Sequence, residues 1–495
     1  MAASMIATTP ALSPLRAILP LLVLLIMLGL NVYLFGDSAV EGANQFALLI
    51  AGAIAAVIGL RNGAPWQHLQ DGMLKVVHVA ATPILMLLLI GAMASTWMVS
   101  GIVPTLIVYS LKLADPAWFY AGTALVCALI STAVGSSWTT AATIGVTMMI
   151  TGEGLGMSLP VTAGAVISGA YFGDKLSPLS DTTNLASGVC GVDLIQHVRY
   201  LFITTVPSFL IALMLFLILG FTHSADGQFT PATDMIRAIH QSVWVSGWLL
   251  LVPVGIIVLI LRKTPALPLM LIATLAGSAL ALFCQTDLVY LIGGSEDWQG
   301  LYRGTLQPIV GEVQINTWHP FTDDLLATSG MAGMLNTIWL ILCAVVFGGM
   351  MEASGCLTTI LQSLNKLVRG PTSLVATTSG TCGVLNLTAS EQYLTLLLAG
   401  RMYPALYEEH GLSAKNLSRT LEDSGTVTSV LVPWNTCGAY HAAILGMGTL
   451  TYLPFCFFNL ISPVMTIVVM RLRFRVEVFE GTQTTIRETG SLSQT

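Results

Sequence analysis

The stretch Gly173-Asp174-Lys175-Leu176-Ser177-Pro178-Leu179-Ser180-Asp181-Thr182-Thr183-Asn184 follows directly on an apolar run, residues 163–171. Ionisable side chains inside a bilayer are costly, so two carboxylates and a lysine at the end of an apolar segment indicate function rather than packing. Pro178 lacks a backbone N–H and disturbs the preceding helical turn, and Gly173 loosens the helix. We therefore predict a broken helix whose free carbonyl oxygens and new N-terminus lie among hydroxyls and carboxylates.

The composition of the whole chain places this stretch in a membrane protein. Of 495 residues, 55% are hydrophobic and only 9% are charged, whereas soluble domains carry roughly 25% charged residues. So few charges could not cover the surface of a soluble enzyme. The net charge of −6 also leaves no basic face for nucleic acid. The sequence predicts an all-α polytopic membrane protein with lipid as its surroundings.

Ten apolar stretches are long enough to span a bilayer, which takes about 20 residues. They lie near 17–35, 45–60, 77–100, 160–187, 200–221, 243–261, 267–285, 331–352, 421–446 and 449–470. Two further apolar regions, 117–150 and 372–400, carry small polar residues at their centres. These regions favour re-entrant helical hairpins over lipid-facing helices.

The two halves of the chain resemble each other weakly. Ser100-Gly101 resembles Ser354-Gly355 at an offset of 254, Gly135 lies 39 residues before Asp174, and Gly383 lies 40 before Asp423. We interpret the halves as a repeat, with an insertion in the polar stretch 286–330.

The loop charges indicate that this repeat is inverted. Loop 36–44 carries Asp37 and Glu41, whereas its counterpart 262–266 begins with Arg262-Lys263. Cytoplasmic loops collect Lys and Arg, so equivalent loops of opposite charge fit two inverted repeats with broken helices at the midplane. Each repeat then has about five spans and one hairpin.

This organisation gives five segments, with both termini in the cytoplasm. The segments are a tail 1–16, a first repeat 17–221, a periplasmic linker 222–242, a second repeat 243–470 and a tail 471–495. A flipped topology, or one that differs by a span, remains an alternative.

Polar residues at four places are candidate ligands for a transported ion or substrate. Hydroxyl and amide groups at hairpin tips and helix breaks can meet at one midplane site. Beside Asp174 and Asp181, where we expect Na⁺ to bind, the candidates are Ser177, Ser180, Thr182, Asn184, Ser136, Ser137, Thr139, Asn386, Thr388, Ser390, Asn435 and Thr436. Ordinary helix packing is the alternative for Ser136, Ser137 and Thr139.

Proton coupling needs ionisable groups within the membrane. The candidates are Asp174, Asp181, Glu391, Glu422, Asp423 and Lys175. Glu391 can carry a proton or pair with Lys175, whereas Glu422 and Asp423 can instead form an interfacial ion pair with Arg419. Glu352 and His441 are further groups to test. We expect no cofactor beyond the transported ions.

The residues 169–186, together with Glu422-Asp423-Ser424-Gly425-Thr426 and Pro433-Trp434-Asn435-Thr436-Cys437-Gly438, resemble the signatures of the NhaC family of Na⁺/H⁺ antiporters. The likeness covers roughly residues 45–470. It implies an antiporter of the bacterial inner membrane within the broad ion-transporter superfamily. It also implies re-entrant hairpins, a homodimer and an elevator-like motion of a transport domain against a scaffold.

Two functions stay open at this point. The first is export of Na⁺ in exchange for protons. The second is Na⁺- or H⁺-coupled exchange of a small organic acid or amino acid, of the malate/lactate type, because Ser, Thr and Asn are more abundant than a bare cation site needs. An intramembrane enzyme is disfavoured because no nucleophile–base pair or zinc-binding spacing lies in the spans.

Overall fold

The computed structural model describes residues 12–35, 39, 41–113, 115–222, 232–262, 264–318, 322–323 and 326–478. Most of the predicted tails 1–16 and 471–495, residues 223–231 of the linker 222–242, and the loop residues Asp37 and Lys263 lie outside the described residues.

The first part of the chain consists of helices joined by short turns within its described residues. Its helices are α1 (Pro14–Phe35), α2 (Ala43–Arg61), α3 (Trp66–Val99), α4 (Ile102–Leu113), α5 (Pro116–Val134), α6 (Ser137–Thr140), α7 (Val146–Gly154), α8 (Leu159–Leu176), α9 (Asp181–Val189) and α10 (Leu194–Thr222). A π-helical turn, Ala141–Gly145, joins α6 to α7.

The second part adds one two-residue ladder to a further set of helices. These are α11 (Ala232–Ser242), α12 (Leu251–Leu261), α13 (Ala266–Cys284), α14 (Thr286–Gly293), α15 (Trp298–Val310), β1 (Val313–Gln314), β2 (Ala327–Thr328), α16 (Leu335–Ala353), α17 (Cys356–Asn365), α18 (Pro371–Thr388), α19 (Gln392–Met402), α20 (Pro404–Glu409), α21 (Ala414–Leu421), α22 (Thr436–Leu445), α23 (Thr449–Tyr452) and α24 (Phe457–Arg471). The two strands pair antiparallel, Val313 with Thr328. Short 3₁₀ turns occupy Gly247–Leu250, Ala332–Met334, Ser429–Leu431 and Leu453–Phe455, and a π-helical turn occupies Glu422–Thr426.

Seven helices in the described part of the chain are long and apolar enough to cross a membrane, or up to nine if two bent pairs each count as one span. This confirms the all-α polytopic class. The predicted spans 243–261 and 449–470 are not straight. Residues 234–242 and 247–259 meet at 86°, and residues 449–455 and 457–471 meet at 57°.

Glycines bring α5, α8 and α10 into close contact. A Cβ at Gly169 would lie 2.1 Å from the Ala124 carbonyl oxygen, and one at Gly173 would lie 2.4 Å from that of Ala128. Likewise, a Cβ at Gly220 would lie 2.2 Å from the carbonyl oxygen of Ala117. Small residues allow membrane helices to approach this closely, so α8 and α10 both pack on α5.

The chain reverses direction in both regions predicted as hairpins. Gly135, with φ 73°, ends α5, and the returning arm comes back to Tyr120, whose hydroxyl oxygen accepts a hydrogen bond from the Ser158 N–H at 2.8 Å. In the second region the turn includes Ser390, with φ 58°. Its returning arm reaches Tyr403, whose hydroxyl lies 2.7 Å from that of Thr381.

The two halves share one local turn and differ at another. Gly101 and Gly355 both follow a long apolar helix with left-handed φ values of 85° and 79°, as expected for counterparts. Gly383, however, lies inside α18, whereas Gly135 forms the first hairpin turn. The residue with positive φ at the second turn is Ser390, so the match based on Gly383 does not join equivalent positions.

Candidate functional site

The predicted break in the α8 region lies between Leu176 and Asp181. Local side chains satisfy the backbone groups that the break exposes. The Thr183 hydroxyl donates to the Lys175 carbonyl at 3.1 Å, and the Asn184 amide donates to the carbonyls of Pro178 at 3.0 Å and Ser180 at 2.7 Å. Asn184, predicted as an ion ligand, therefore supports the break through its amide nitrogen.

The first hairpin tip contacts Asp174 directly. One carboxylate oxygen, Oδ2, accepts hydrogen bonds from the Ser137 N–H at 3.0 Å and the Ser137 hydroxyl at 2.6 Å. Asp174 is only 6% exposed. A Cβ at Gly135 would lie 2.7 Å from the Leu179 Cβ, so the tip packs tightly against the break.

Further predicted hydroxyl ligands cluster around this contact. The Ser180 hydroxyl faces the Asp174 carboxylate and lies 3.0 Å from that of Thr182. On the tip, the Thr139 hydroxyl donates to the Ser136 oxygen at 3.2 Å. The Ser177 oxygen instead accepts the Leu179 N–H at 3.3 Å, which fixes the turn of the break.

Asp181 differs from Asp174 in being exposed at the first turn of α9. It is near enough to Asp174 for the two carboxylates to interact electrostatically. Within the described ranges, no three His, Cys, Asp or Glu side chains are arranged to hold a metal ion. A cation here would therefore need hydroxyl and carbonyl oxygens in addition to Asp174, and hard cations accept such ligands.

The second hairpin tip packs on the second broken region. The Ser390 carbonyl accepts the Thr436 N–H at 3.0 Å. Asn386 donates to the Gly425 carbonyl at 2.8 Å, and Asn435 donates to the Asn386 carbonyl at 3.2 Å. The structure thus brings Asn386, Ser390, Asn435 and Thr436 together.

Predicted site residues in this half also make hydrogen bonds to the backbone of their own helices. Asn435 accepts the Cys437 N–H at 3.0 Å, and Glu391 accepts the Leu394 N–H at 2.9 Å. The Thr388 hydroxyl donates within its own helix to the Val384 carbonyl at 2.7 Å. These contacts engage side chains that are predicted to bind an ion or a proton.

A buried ion pair joins the two halves: the Lys175 ammonium donates to Asp423 Oδ1, and both side chains are fully buried. The hydroxyls of Thr204 and Ser462 donate to the same oxygen, each at 3.0 Å. The predicted pairing of Lys175 with Glu391 is therefore wrong, because Glu391 caps its own helix.

The alternative that Glu422 and Asp423 form an ion pair at the membrane interface is also wrong. Both side chains and that of Arg419 are fully buried, and Arg419 Nε lies 4.0 Å from Asp423 Oδ2. The Arg419 guanidinium lies over the Tyr200 ring, 4.7 Å from its centroid. The pairing with Arg419 thus exists, but inside the helix bundle.

Glu352 and two histidines complete the set of intramembrane candidates. Glu352 lies in the last turn of α16 and pairs with the exposed Lys75 at 3.1 Å, so it does not join the buried cluster. His441 is buried, with Nδ1 2.8 Å from the Cys437 carbonyl. Sequence reasoning missed His197, which is buried with Nδ1 2.9 Å from the Ser418 hydroxyl. The one sequence signal for His197 is its spacing of two helical turns from Thr204, which places both side chains on the same face of α10.

A cavity of about 430 Å³ lies beside the returning arm of the first hairpin. It is lined mostly by apolar side chains of α3, α7 and the end of α22, including Met93, Met98, Met149 and Met447, with the hydroxyls of Ser95 and Thr143. The Thr143 hydroxyl donates to the Thr139 carbonyl at 2.8 Å, so the cavity begins one turn from the tip that contacts Asp174. Its volume falls within the range of small-molecule sites.

Comparison with known proteins gives a consistent result. The model of the Na⁺/H⁺ antiporter family matches residues 169–472. The chain is 38% identical to the Na⁺/H⁺ antiporter NhaC of Alkalihalophilus pseudofirmus, over 85% of this chain and 88% of the relative. It is 34% identical to the malate-2H⁺/Na⁺-lactate antiporter of Bacillus subtilis, over 84% and 87%. It is 33% identical to the arginine/ornithine antiporter ArcD of Halobacterium salinarum, over 92% and 90%. These relatives are antiporters rather than enzymes.

Proposed function

The chain belongs to the Na⁺/H⁺ antiporter family, and we propose that it exports Na⁺ in exchange for protons across the bacterial inner membrane. The observation that carries this proposal is the buried Asp174 carboxylate at a helix break, held by the hydroxyl-rich tip of a hairpin. A carboxylate among hydroxyls offers the oxygen ligands that Na⁺ takes.

In this proposal Asp174 is the anionic ligand of Na⁺, and the hydroxyls of Ser136, Ser180 and Thr182 supply neutral oxygens. Asp181 lies at the exposed side of the same site and attracts the cation towards it. Because Ser137 donates two hydrogen bonds to Asp174, Na⁺ competes with these donors for the carboxylate. On the second tip, Asn386, Ser390, Asn435 and Thr436 stabilise the packing of that tip on the second broken helix.

We further propose that residues 17–221 and 243–470 are inverted repeats and that both hairpins are re-entrant. Both termini then lie in the cytoplasm. The two hairpins and two broken helices form the moving unit of an elevator-like mechanism, and the remaining spans form the scaffold of a homodimer. The buried Lys175–Asp423 pair supports this division, because it fastens the two broken helices to each other.

Purified protein in liposomes loaded with a pH-sensitive dye tests the function. A Na⁺ pulse without organic solute should change the internal pH, and Asp174→Asn should abolish the change because the amide carries no charge. Asp181→Asn should weaken it. Asp71→Asn removes an exposed carboxylate from α3 and should leave the response unchanged. If a pulse of Na⁺ alone causes no pH change in liposomes with the unmodified protein, the proposal is contradicted.

A second candidate is exchange of a small organic acid or amino acid coupled to Na⁺ or H⁺. Two observations favour it: the cavity of about 430 Å³ next to the first tip, and relatives named for malate, lactate, arginine and ornithine. The same liposomes, pulsed with Na⁺ in the presence of each of these four solutes, distinguish the two functions. A response that requires one solute would establish the exchanger.

A further inference from the structure

Four carboxylates are buried in the described part of the chain: Asp174, Glu391, Glu422 and Asp423. Three of them accept hydrogen bonds. Asp174 accepts two from Ser137, Glu391 accepts one from the Leu394 N–H, and Asp423 accepts from Lys175 and two hydroxyls. Hydrogen bonds and a cation both stabilise the ionised form of a carboxylate.

Glu422 is the exception. Its side chain is fully buried, and neither carboxylate oxygen has a hydrogen-bond partner among the described residues. The Thr426 hydroxyl, one turn further along, faces it, but this hydroxyl makes no hydrogen bond either. A buried carboxylate that accepts no hydrogen bond is costly to ionise, whereas its protonated form is neutral.

Charged groups surround Glu422 without contacting it. Asp174, Lys175 and Asp423 interact with it electrostatically, and Arg419 lies one helical turn earlier. The other titratable groups on elements packed against this turn are Asp181 on α9, Cys382 on α18, Tyr393 and Arg401 on α19, Lys415 on α21 and Arg471 on α24. Lys175 and Arg419 keep their charges paired with or close to Asp423. The charge on Asp174 is then the one near Glu422 that a bound cation can neutralise. The ionisation of Glu422 therefore depends on whether a cation occupies Asp174.

We propose that Glu422 carries the proton, while Asp174 carries Na⁺. This inference rests on the proposed Na⁺/H⁺ exchange and assigns the two ions to separate carboxylates on the two broken helices. Na⁺ on Asp174 adds a positive charge near Glu422, which then releases its proton to water as the carboxylate ionises. By reciprocity, a proton on Glu422 weakens Na⁺ binding at Asp174. Antiport follows from this electrostatic exclusion, without both ions competing for one carboxylate.

Two assays on reconstituted full-length protein test the inference. One is the Na⁺-driven pH change, and the other is exchange of radioactive Na⁺ for unlabelled Na⁺ with no pH gradient. Glu422→Gln should lose the pH change and keep Na⁺/Na⁺ exchange, and that exchange should no longer slow at acidic pH. Asp174→Asn should lose both activities. Glu352→Gln, which alters a partly exposed carboxylate at the end of α16, should keep both.

Each other outcome counts against the assignment. A retained pH change in Glu422→Gln excludes Glu422 as the proton carrier. Loss of both activities in a monodisperse Glu422→Gln protein indicates a structural role or a Na⁺ ligand instead. If that variant does not fold, Glu422→Asp decides: it should keep coupled exchange with a displaced pH profile, and an unchanged profile overturns the proposal. If the unmodified protein shows no Na⁺-driven pH change, the proposed function itself has failed.

Discussion

Lys175 and Asp423 illustrate how strongly a buried charge depends on its partner. The ammonium has one carboxylate partner and one hydroxyl, Ser462, within hydrogen-bonding distance. Removing one member of such a pair leaves an uncompensated buried charge, at a cost of about 3–5 kcal/mol. We expect Lys175→Met to lower the free energy of unfolding by this amount, measured by reversible unfolding in mixed micelles.

The double variant and an exposed pair provide the controls. Lys175→Met combined with Asp423→Leu should regain part of the lost stability, because it removes the uncompensated Asp423 carboxylate but leaves buried Arg419 without its neighbouring carboxylate. Lys75→Met should change stability by less than about 1 kcal/mol, since its pair with Glu352 is largely solvent-exposed. Equal losses in the single and double variants would mean that the pair contributes through packing alone.

At the same scale, the sequence identifies which residues are unusual but not which ones meet. Asp174 and Lys175 were predictable as buried charges because a charge in an apolar segment is conspicuous. Their partners are 37 and 248 residues away, at Ser137 and Asp423, and no local pattern encodes such distances. The alternative pairing of Glu391 with Lys175 failed for a related reason: whether a carboxylate caps its own helix or reaches another depends on backbone direction at the cap.

At the scale of elements, the contact between the first hairpin tip and the broken helix rests on Gly135. Its φ is 73°, and an added Cβ would meet the Leu179 Cβ at 2.7 Å. Gly135→Ala should therefore displace the tip from Asp174 and slow Na⁺-driven proton movement by about tenfold or more, as misplaced reacting groups do. The initial rate of the pH change in liposomes measures this effect.

Gly446 is a matched control, because its φ is 68° and no atom lies within 4 Å of an added Cβ. Gly446→Ala carries a similar backbone strain, about 1–2 kcal/mol, without the clash. Comparable transport rates in the two variants would show that backbone strain, and not the contact with Leu179, limits the tip.

The presence of the long helices could largely be predicted from the sequence, but their bends could not. Long apolar helices and the break at Pro178 follow from composition and from the missing proline N–H. Helices α4, α14, α15 and α17 were missed because 8 to 13 residues are too few to register as spans. The bend at 449–471 had a signal in Pro454, which the average hydropathy of the segment hid.

At the scale of the whole molecule, the proposed inverted repeat predicts that equivalent loops face opposite sides of the membrane. Loop 61–76 carries Arg61 and Lys75, whereas its counterpart 286–330 carries six acids and only Arg303. Gln67 lies in the first of these stretches and Glu296 in the second, and both residues are exposed. Their sides follow from the asymmetry of Lys and Arg, because no helix length or packing contact distinguishes inside from outside.

Labelling of single cysteines on intact cells tests this arrangement. The half-exposed Cys190 and Cys284 are first replaced by Ser. A membrane-impermeant maleimide should then label Glu296→Cys from outside the cell and Gln67→Cys only after the membrane is opened. Labelling of both sites from one side would exclude inverted repeats, since an odd number of spans per half must place the two loops on opposite faces. Labelling of Gln67→Cys alone from outside would instead keep the inverted repeat and reverse its orientation, placing both termini in the periplasm.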